Sequence, residues 1–302
     1  MIAIGRVPRL ARMEAGAAMP NRANLGEIRA FFAKLMAAAS GTDDPRYERA
    51  FELVRREAFL GPGPWYAFGF APVVGVGRGY VETPSADPVY LYQNLLFALD
   101  VGKRINNGEP FLHAGWLGSV SPKPGEAVCH IGAGTGYYSA ILSVLTLAGG
   151  AVHAFEIDEN LAHKARRNLE PFENVSVTTG DATRLPLPPS DLIYVNAGVV
   201  APPPSWLRAL RPRGRMIFPW RPSETVALTL MLTRAGEAFT VKPLGASWFI
   251  PCVGASKAEE CIKIPDGREA WSARSAWLTA DREPDETAVA ICKQMWFSST
   301  EI

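Results

Sequence analysis

Three glycines at alternate positions, Gly132, Gly134 and Gly136, stand between a short apolar run at 128–131 and a proline-free apolar run at 137–147. The pattern predicts a buried strand, a tight turn and a helix. Glycine lets the backbone turn sharply and admits a ligand where a Cβ would block it. The helix start then offers free N–H groups to a polar ligand. Spacing narrows the choice. A dinucleotide fingerprint has its third glycine in sixth place; here it is fifth and Tyr137 is sixth. Glu156 follows Gly136 by 20 residues and, with Ile157, closes the next apolar run. A carboxylate at such a strand end can accept both hydroxyls of a ribose. Asp181, after a third run, can accept an adenine amino group, with Ala182 supplying a backbone N–H.

Those residues need a scaffold that brings strand ends together. Strand-like and helix-like stretches alternate from 128 to 218, which predicts an α/β fold with a doubly wound, mostly parallel sheet. Apolar stretches at 225–232 and 239–253 look like a closing antiparallel pair, making seven strands of a Rossmann-like sheet. Ligands of such sheets sit at the carboxyl ends of the strands, where strand order switches. Upstream, Asn24 and Glu27 mark a helix start, and Leu25, Ile28, Phe32, Leu35, Met36 and Ala39 recur at helical spacing. Asp44-Pro45 opens a second helix with Tyr47, Phe51, Val54 and Ala58 inward. The glycine- and proline-rich stretch 61–88 reads as a long loop and a candidate lid. The expected organisation is a disordered leader at 1–22, helices and acceptor-side loops at 23–120, a cofactor-binding domain at 121–255 and a small add-on of a strand or two at 256–302.

Composition excludes several classes. Lys plus Arg number 31 against 30 for Asp plus Glu, so no strong field favours nucleic acid or an anionic membrane. No apolar run approaches the about 20 residues of a membrane span, and no signal core opens the chain. Cys129, Cys252, Cys261 and Cys292 are scattered, which predicts reduced thiols in a cytoplasmic protein. With four histidines lacking ligand spacing, no metal site is expected.

The G-x-G-x-G turn resembles the first motif of S-adenosylmethionine (AdoMet) methyltransferases. Over residues 45–255 the chain resembles the protein-L-isoaspartate O-methyltransferase family. The likeness is carried by Val54-Arg55-Arg56-Glu57-Ala58-Phe59, Glu109-Pro110-Phe111-Leu112-His113-Ala114, Gly180-Asp181-Ala182, and the stretches 191–198, 210–216 and 249–254, in that order. The resemblance implies a class I methyltransferase that uses AdoMet, releases S-adenosylhomocysteine and methylates a carboxylate on a protein or peptide. It implies a cofactor set of His130, Gly132, Ala133, Gly134, Gly136, Glu156, Ile157, Asp181, Ala182 and Asn196. The acceptor side would comprise Asn106, Asn107, Gly108, His113 and Asn196, with His113 read alternatively, and preferably, as a hydrogen-bonded helix histidine and Asn196 alternatively as a cap of the next turn. Three positions depart from the family pattern. Gly108 stands where the family has an acceptor-binding serine, His130 where it has an acid, and Ala182 where it has glycine. Asn106 or Asn107 can replace the lost hydrogen bonds, or form an Asn-Asn-Gly turn. A small-molecule O- or N-methyltransferase, and a non-catalytic AdoMet-binding protein, remain open alternatives. An oligomer is compatible with the sequence.

Overall fold

The computed structural model describes residues 24–70 and 78–302. The leader expected at 1–22 and part of the 61–88 stretch lie outside them. Helix α1 (Leu25–Ser40) begins where the Asn24 side chain accepts the Gly26 N–H and ends at Gly41 in the left-handed region. Helix α2 (Pro45–Leu53) begins where Asp44 accepts the Arg46 N–H, and α3 (Glu57–Leu60) follows. Phe32, Met36, Tyr47, Phe51 and Val54 are buried in one cluster. Leu35, expected inward, is exposed because the buried face of α1 is centred on Phe32, Ala33, Met36 and Ser40.

Strands β1 (Tyr66–Phe70), β2 (Arg78–Glu82), β3 (Leu96–Asp100) and β4 (Ile105–Asn106) form a small antiparallel sheet in the order β2-β1-β3-β4. This corrects the loop expected over 61–88. Gly69 and Gly79 pair across β1 and β2 rather than making turns, and the Phe68 and Tyr80 rings pack beside them with centroids 5.4 Å apart. Aromatic cross-strand pairing outweighs the weak strand preference of glycine here.

After α4 (Pro110–Val120) the chain enters the main sheet. Strand β5 (Ala127–Ile131), helix α5 (Tyr137–Thr146), strand β6 (Ala151–Glu156), helix α6 (Glu159–Asn168), strands β7 (Val175–Thr179) and β8 (Ser190–Val195), helix α7 (Pro204–Ala209) and strand β9 (Leu210–Trp220) follow in turn. Strands β10 (Leu228–Ala235) and β11 (Ala238–Ala246) complete the expected seven. The order β7-β6-β5-β8-β9 is parallel throughout, and β10 and β11 add antiparallel. Alternate residues feed two cores. Val128, Leu192, Tyr194 and Ile217 face the side of α1, α2, α4 and α5, while Cys129, Ile193, Val195 and Met216 face that of α7. Both faces are covered, which is what lets these strands be apolar on both sides.

The C-terminal segment does not stand apart. Strands β12 (Cys261–Lys263), β13 (Ser275–Leu278), β14 (Ala288–Cys292) and β15 (Met295–Ser298), with the short α8 (Gly267–Ala270), extend the same sheet to eleven strands, ordered …β11-β13-β15-β14-β12. That is four strands where one or two were expected. The thiol expectation is also corrected. Cys261 and Cys292 face each other across β12 and β14 and form a disulfide, while Cys129 and Cys252 are free and buried. Register between two strands 31 residues apart brings the pair together, and no local motif announces it. Among the described residues no helix is long and apolar enough to cross a membrane.

Candidate active site

Strand order reverses at β5, with β6 and β7 on one side and β8 and β9 on the other. A cavity of about 920 Å³ opens at the carboxyl ends of these strands. One wall is the turn between β5 and α5. Gly136 caps α5 at φ +95°, and a Cβ there would stand 2.6 Å from Leu169 Cδ1. Only glycine joins this turn to the helix without pushing α6 away. Glu156 ends β6 almost fully buried. Its Oε2 accepts the Gly134 N–H at 2.7 Å and its Oε1 the Asp158 N–H at 3.0 Å. Burial raises its carboxyl pKa, and these two N–H groups pull it back toward the charged form. Asp181 Oδ1 accepts from the Thr183 N–H and hydroxyl at 2.9 and 2.7 Å.

The opposite wall comes from β4, the start of α4, and the residues after β11. Asn106 Oδ1 accepts from the Tyr80 hydroxyl at 2.7 Å. Asn107 is buried; its Oδ1 accepts the Phe97 N–H at 3.2 Å and its Nδ2 has no partner. Neither residue forms a free turn, because β4 pairs with β3. His113 is fully buried, stacked on Tyr138 with ring centroids 3.7 Å apart. Its Nδ1 meets the Tyr194 hydroxyl at 2.8 Å and its Nε2 has no partner among the described residues. Burial, then the nearby His130 and Arg56, hold its pKa well below the ordinary histidine value, so the ring is neutral. Trp248 lies exposed at the rim under the Arg221 guanidinium, 5.1 Å from its ring centroid.

Twelve of the residues named from sequence line this one cavity. Asn106, Asn107, Gly108 and His113 lie on the acceptor wall; Gly132, Ala133, Gly134, Glu156, Ile157, Asp181, Ala182 and Asn196 lie on the cofactor wall. Two expected at the cofactor do not reach it. Gly136 is turned into the α5–α6 junction. His130 sits in the middle of the sheet, wholly buried, its pKa pushed down to about 3. Its Nδ1 contacts Ser139 Oγ at 2.7 Å and its Nε2 the Asn196 side-chain nitrogen at 2.8 Å. With Nε2 accepting, Asn196 Oδ1 is turned away from His130, and that oxygen is buried without a partner. Sequence reasoning missed Thr135, Tyr138, Arg221 and Phe249 as lining residues. Tyr138 follows the glycine turn directly and was legible; Arg221 and Phe249 arrive through strand pairing and carry no local signal.

The residues present fit AdoMet. The turn exposes backbone where a nucleoside-bearing ligand has to approach, Glu156 can take the ribose hydroxyls, and the buried, unpartnered Asn196 Oδ1 and Thr135 Oγ1 await polar partners. Comparison with known proteins points the same way. Residues 78–257 match the family model for protein-L-isoaspartate(D-aspartate) O-methyltransferase. The chain is 31% identical to the protein-L-isoaspartate O-methyltransferase of Pelotomaculum thermopropionicum over 169 residues, 55% of this chain and 72% of that protein. It is 30% identical to that of Protochlamydia amoebophila over 222 residues, 72% and 92% of the two chains. A solved protein-L-isoaspartate O-methyltransferase superposes with a TM-score of 0.64 at 21% identity, over 89% of this chain and 86% of that one. One from Plasmodium falciparum, in complex with S-adenosyl-L-homocysteine, gives 0.57 at 15% identity, over 74% and 97%.

Proposed function

The chain belongs to the protein-L-isoaspartate(D-aspartate) O-methyltransferase family, and we propose that it transfers a methyl group from AdoMet to a carboxylate of a protein or peptide, with the isoaspartyl side chain as its acceptor. The carrying observation is that the glycine turn, Glu156 and Asp181 share one cavity with the wall of Asn107 and His113. Its volume is in the range of small-ligand sites that hold a cofactor and a side chain together.

When bound, AdoMet supplies an electrophilic methyl group on a sulfonium. An acceptor carboxylate is already an anion at neutral pH, so no residue has to remove a proton. What the chain must do is align the two reactants and exclude water. Glu156 would accept the ribose hydroxyls, Asp181 would accept the adenine amino group while the Ala182 N–H donates to the adenine ring, and Asn196 Oδ1 would accept the amino group of the methionine part. The glycine turn leaves room beneath. We further propose residues 121–255 as the AdoMet-binding part and 23–120 as the source of the acceptor wall. A cytoplasmic location belongs to the proposal as well; cell fractionation tests it, recovery in the cytoplasmic fraction supporting it and recovery outside the cytoplasm opposing it.

The test of the reaction is labelled methyl transfer from AdoMet to an isoaspartyl peptide, with the aspartyl peptide as control. Label on the isoaspartyl peptide alone is expected. Label on neither, in protein that binds S-adenosylhomocysteine, would remove the isoaspartyl acceptor.

A further inference from the structure

The acceptor wall has no space for a side chain at position 108. Gly108 lies at φ +80°, and a Cβ built on it would stand 2.2 Å from His113 Nε2 and 2.7 Å from its Cδ2. The imidazole itself fills that place. Its position is fixed from three directions: stacking on Tyr138, a tilted contact with Trp116, and the Nδ1 contact with Tyr194.

The proton on this ring can be assigned by counting partners. Tyr194 is buried, and its hydroxyl has no other hydrogen-bond partner among the described residues. If Nδ1 carried the proton, the phenol proton would be left without an acceptor and Nε2 without a donor. If the phenol donates to Nδ1, only one group stays unpaired, the Nε2–H. An unpaired buried donor is costly; His113 lines the cavity, and its Nε2 lies beneath the Gly108 backbone on that wall. Asn107 Nδ2 is a second N–H donor in the same condition. Glu109, the acidic side chain of this wall, is already engaged by Asn94 Nδ2 at 2.6 Å. Two unanswered N–H donors match the two oxygens of a carboxylate.

We propose that His113 is the acceptor-binding residue of this site, its Nε2–H donating, together with Asn107 Nδ2, to the acceptor carboxylate. The proposal rests on the carboxylate-acceptor reading above and adds the residue that grips it. A neutral donor orients the carboxylate without neutralising the charge that makes it a nucleophile. Tyr194 acts behind it as a positioning residue.

The experiment compares His113→Leu and His113→Gln in the full chain. Leucine removes the N–H and is expected to raise KM for the isoaspartyl peptide about tenfold or more, with S-adenosylhomocysteine affinity by calorimetry unchanged. Glutamine, which keeps a donor, is expected to recover most of that loss. An unchanged acceptor KM in His113→Leu, or a parallel fall in S-adenosylhomocysteine affinity, overturns the proposal. Nitrogen NMR of 15N-histidine-labelled wild type reads the ring directly and needs no turnover. A proton on Nε2 that shifts when succinate is added to the S-adenosylhomocysteine complex supports it; a proton on Nδ1, or no response to succinate, overturns it. Wild type that methylates no isoaspartyl peptide yet gives the succinate response would instead overturn the choice of acceptor.

Discussion

The two walls of the cavity differ in how their charged side chains are held. On the cofactor wall the charged groups are answered within the protein: Glu156 takes two backbone N–H groups, and Asp181 takes both donors of Thr183. On the acceptor wall the buried Asn107 Nδ2 and His113 Nε2 have no partner among the described residues, and on the cofactor wall the same holds for the uncharged Thr135 Oγ1 and Asn196 Oδ1. Each such group costs about 1–3 kcal/mol. The cofactor wall therefore has its carboxylates fixed before anything binds, while each wall keeps buried uncharged groups that a polar ligand can answer. On the proposed function, part of the recognition of the acceptor is stored as lost stability.

The contrast is tested most forcefully at Glu156. Glu156→Ala removes both the ribose acceptor and the anchor of the Gly134 N–H, and calorimetry is expected to show S-adenosylhomocysteine binding weakened by about 100-fold or more, the worth of two charge-assisted hydrogen bonds. A loss no larger than that of an exposed side chain would erase the distinction between the walls.

Gly108→Ser comes next. A serine there, as the family resemblance has it, puts its Cβ 2.2 Å from His113 Nε2 at a backbone φ of +80°. Denaturant titration is expected to show a cost of about 1–3 kcal/mol, the usual range for overpacking, and initial rates on an isoaspartyl peptide are expected to fall. Higher turnover would mean that the wall is not set by the imidazole.

The third test is pH. His113 and His130 have folded pKa values below the ordinary 6.5, His130 at about 3, with burial the main cause in each. Below pH 6.5 the unfolded chain binds protons that the folded chain refuses, so stability falls as pH falls, by about 1.4 kcal/mol per pH unit for each ring. His130→Gln is expected to remove one ring's share of that slope between pH 6.5 and 5 in urea titrations; an unchanged slope would mean that the ring is charged in the fold.

The smallest effect is expected at the rim. Lys103 pairs with Asp158 while remaining exposed, and Lys103→Ala is expected to leave the thermal midpoint indistinguishable from wild type by calorimetry, as for most surface ion pairs.

How far each wall was legible follows from the same contrast. The cofactor wall is local. Strand, glycine turn, helix and the acid at the next strand end are neighbours in sequence, and period and spacing reveal them. The acceptor wall is assembled from β4, α4, β8 and the chain after β11, so its key facts are contacts between distant residues. Sequence named Asn107 and His113 without showing that Tyr194, 81 residues from His113, fixes the ring. The β1–β2 hairpin was hidden because its glycines lie inside strands. His130 was placed at the cofactor by its position before the turn, yet residues alternate across a strand, and its ring is buried in the sheet with Nε2 against the Asn196 side chain.

The eleven-stranded sheet also has an outer border. At one end lies β12, three residues long, with Lys263 Nζ donating to Ala288 O and Cys261 bonded to Cys292. This short strip covers β14, whose residues Ala288, Val289, Ala290 and Cys292 are buried. Breaking the disulfide frees the strip and turns an apolar strand into a bare edge, a template for chain-to-chain pairing. The colloidal behaviour of this protein is thus tied to two sulfur atoms on the far side of the sheet from its chemistry. Light scattering under reduction is expected to register association while methyl transfer by the protein left in solution continues.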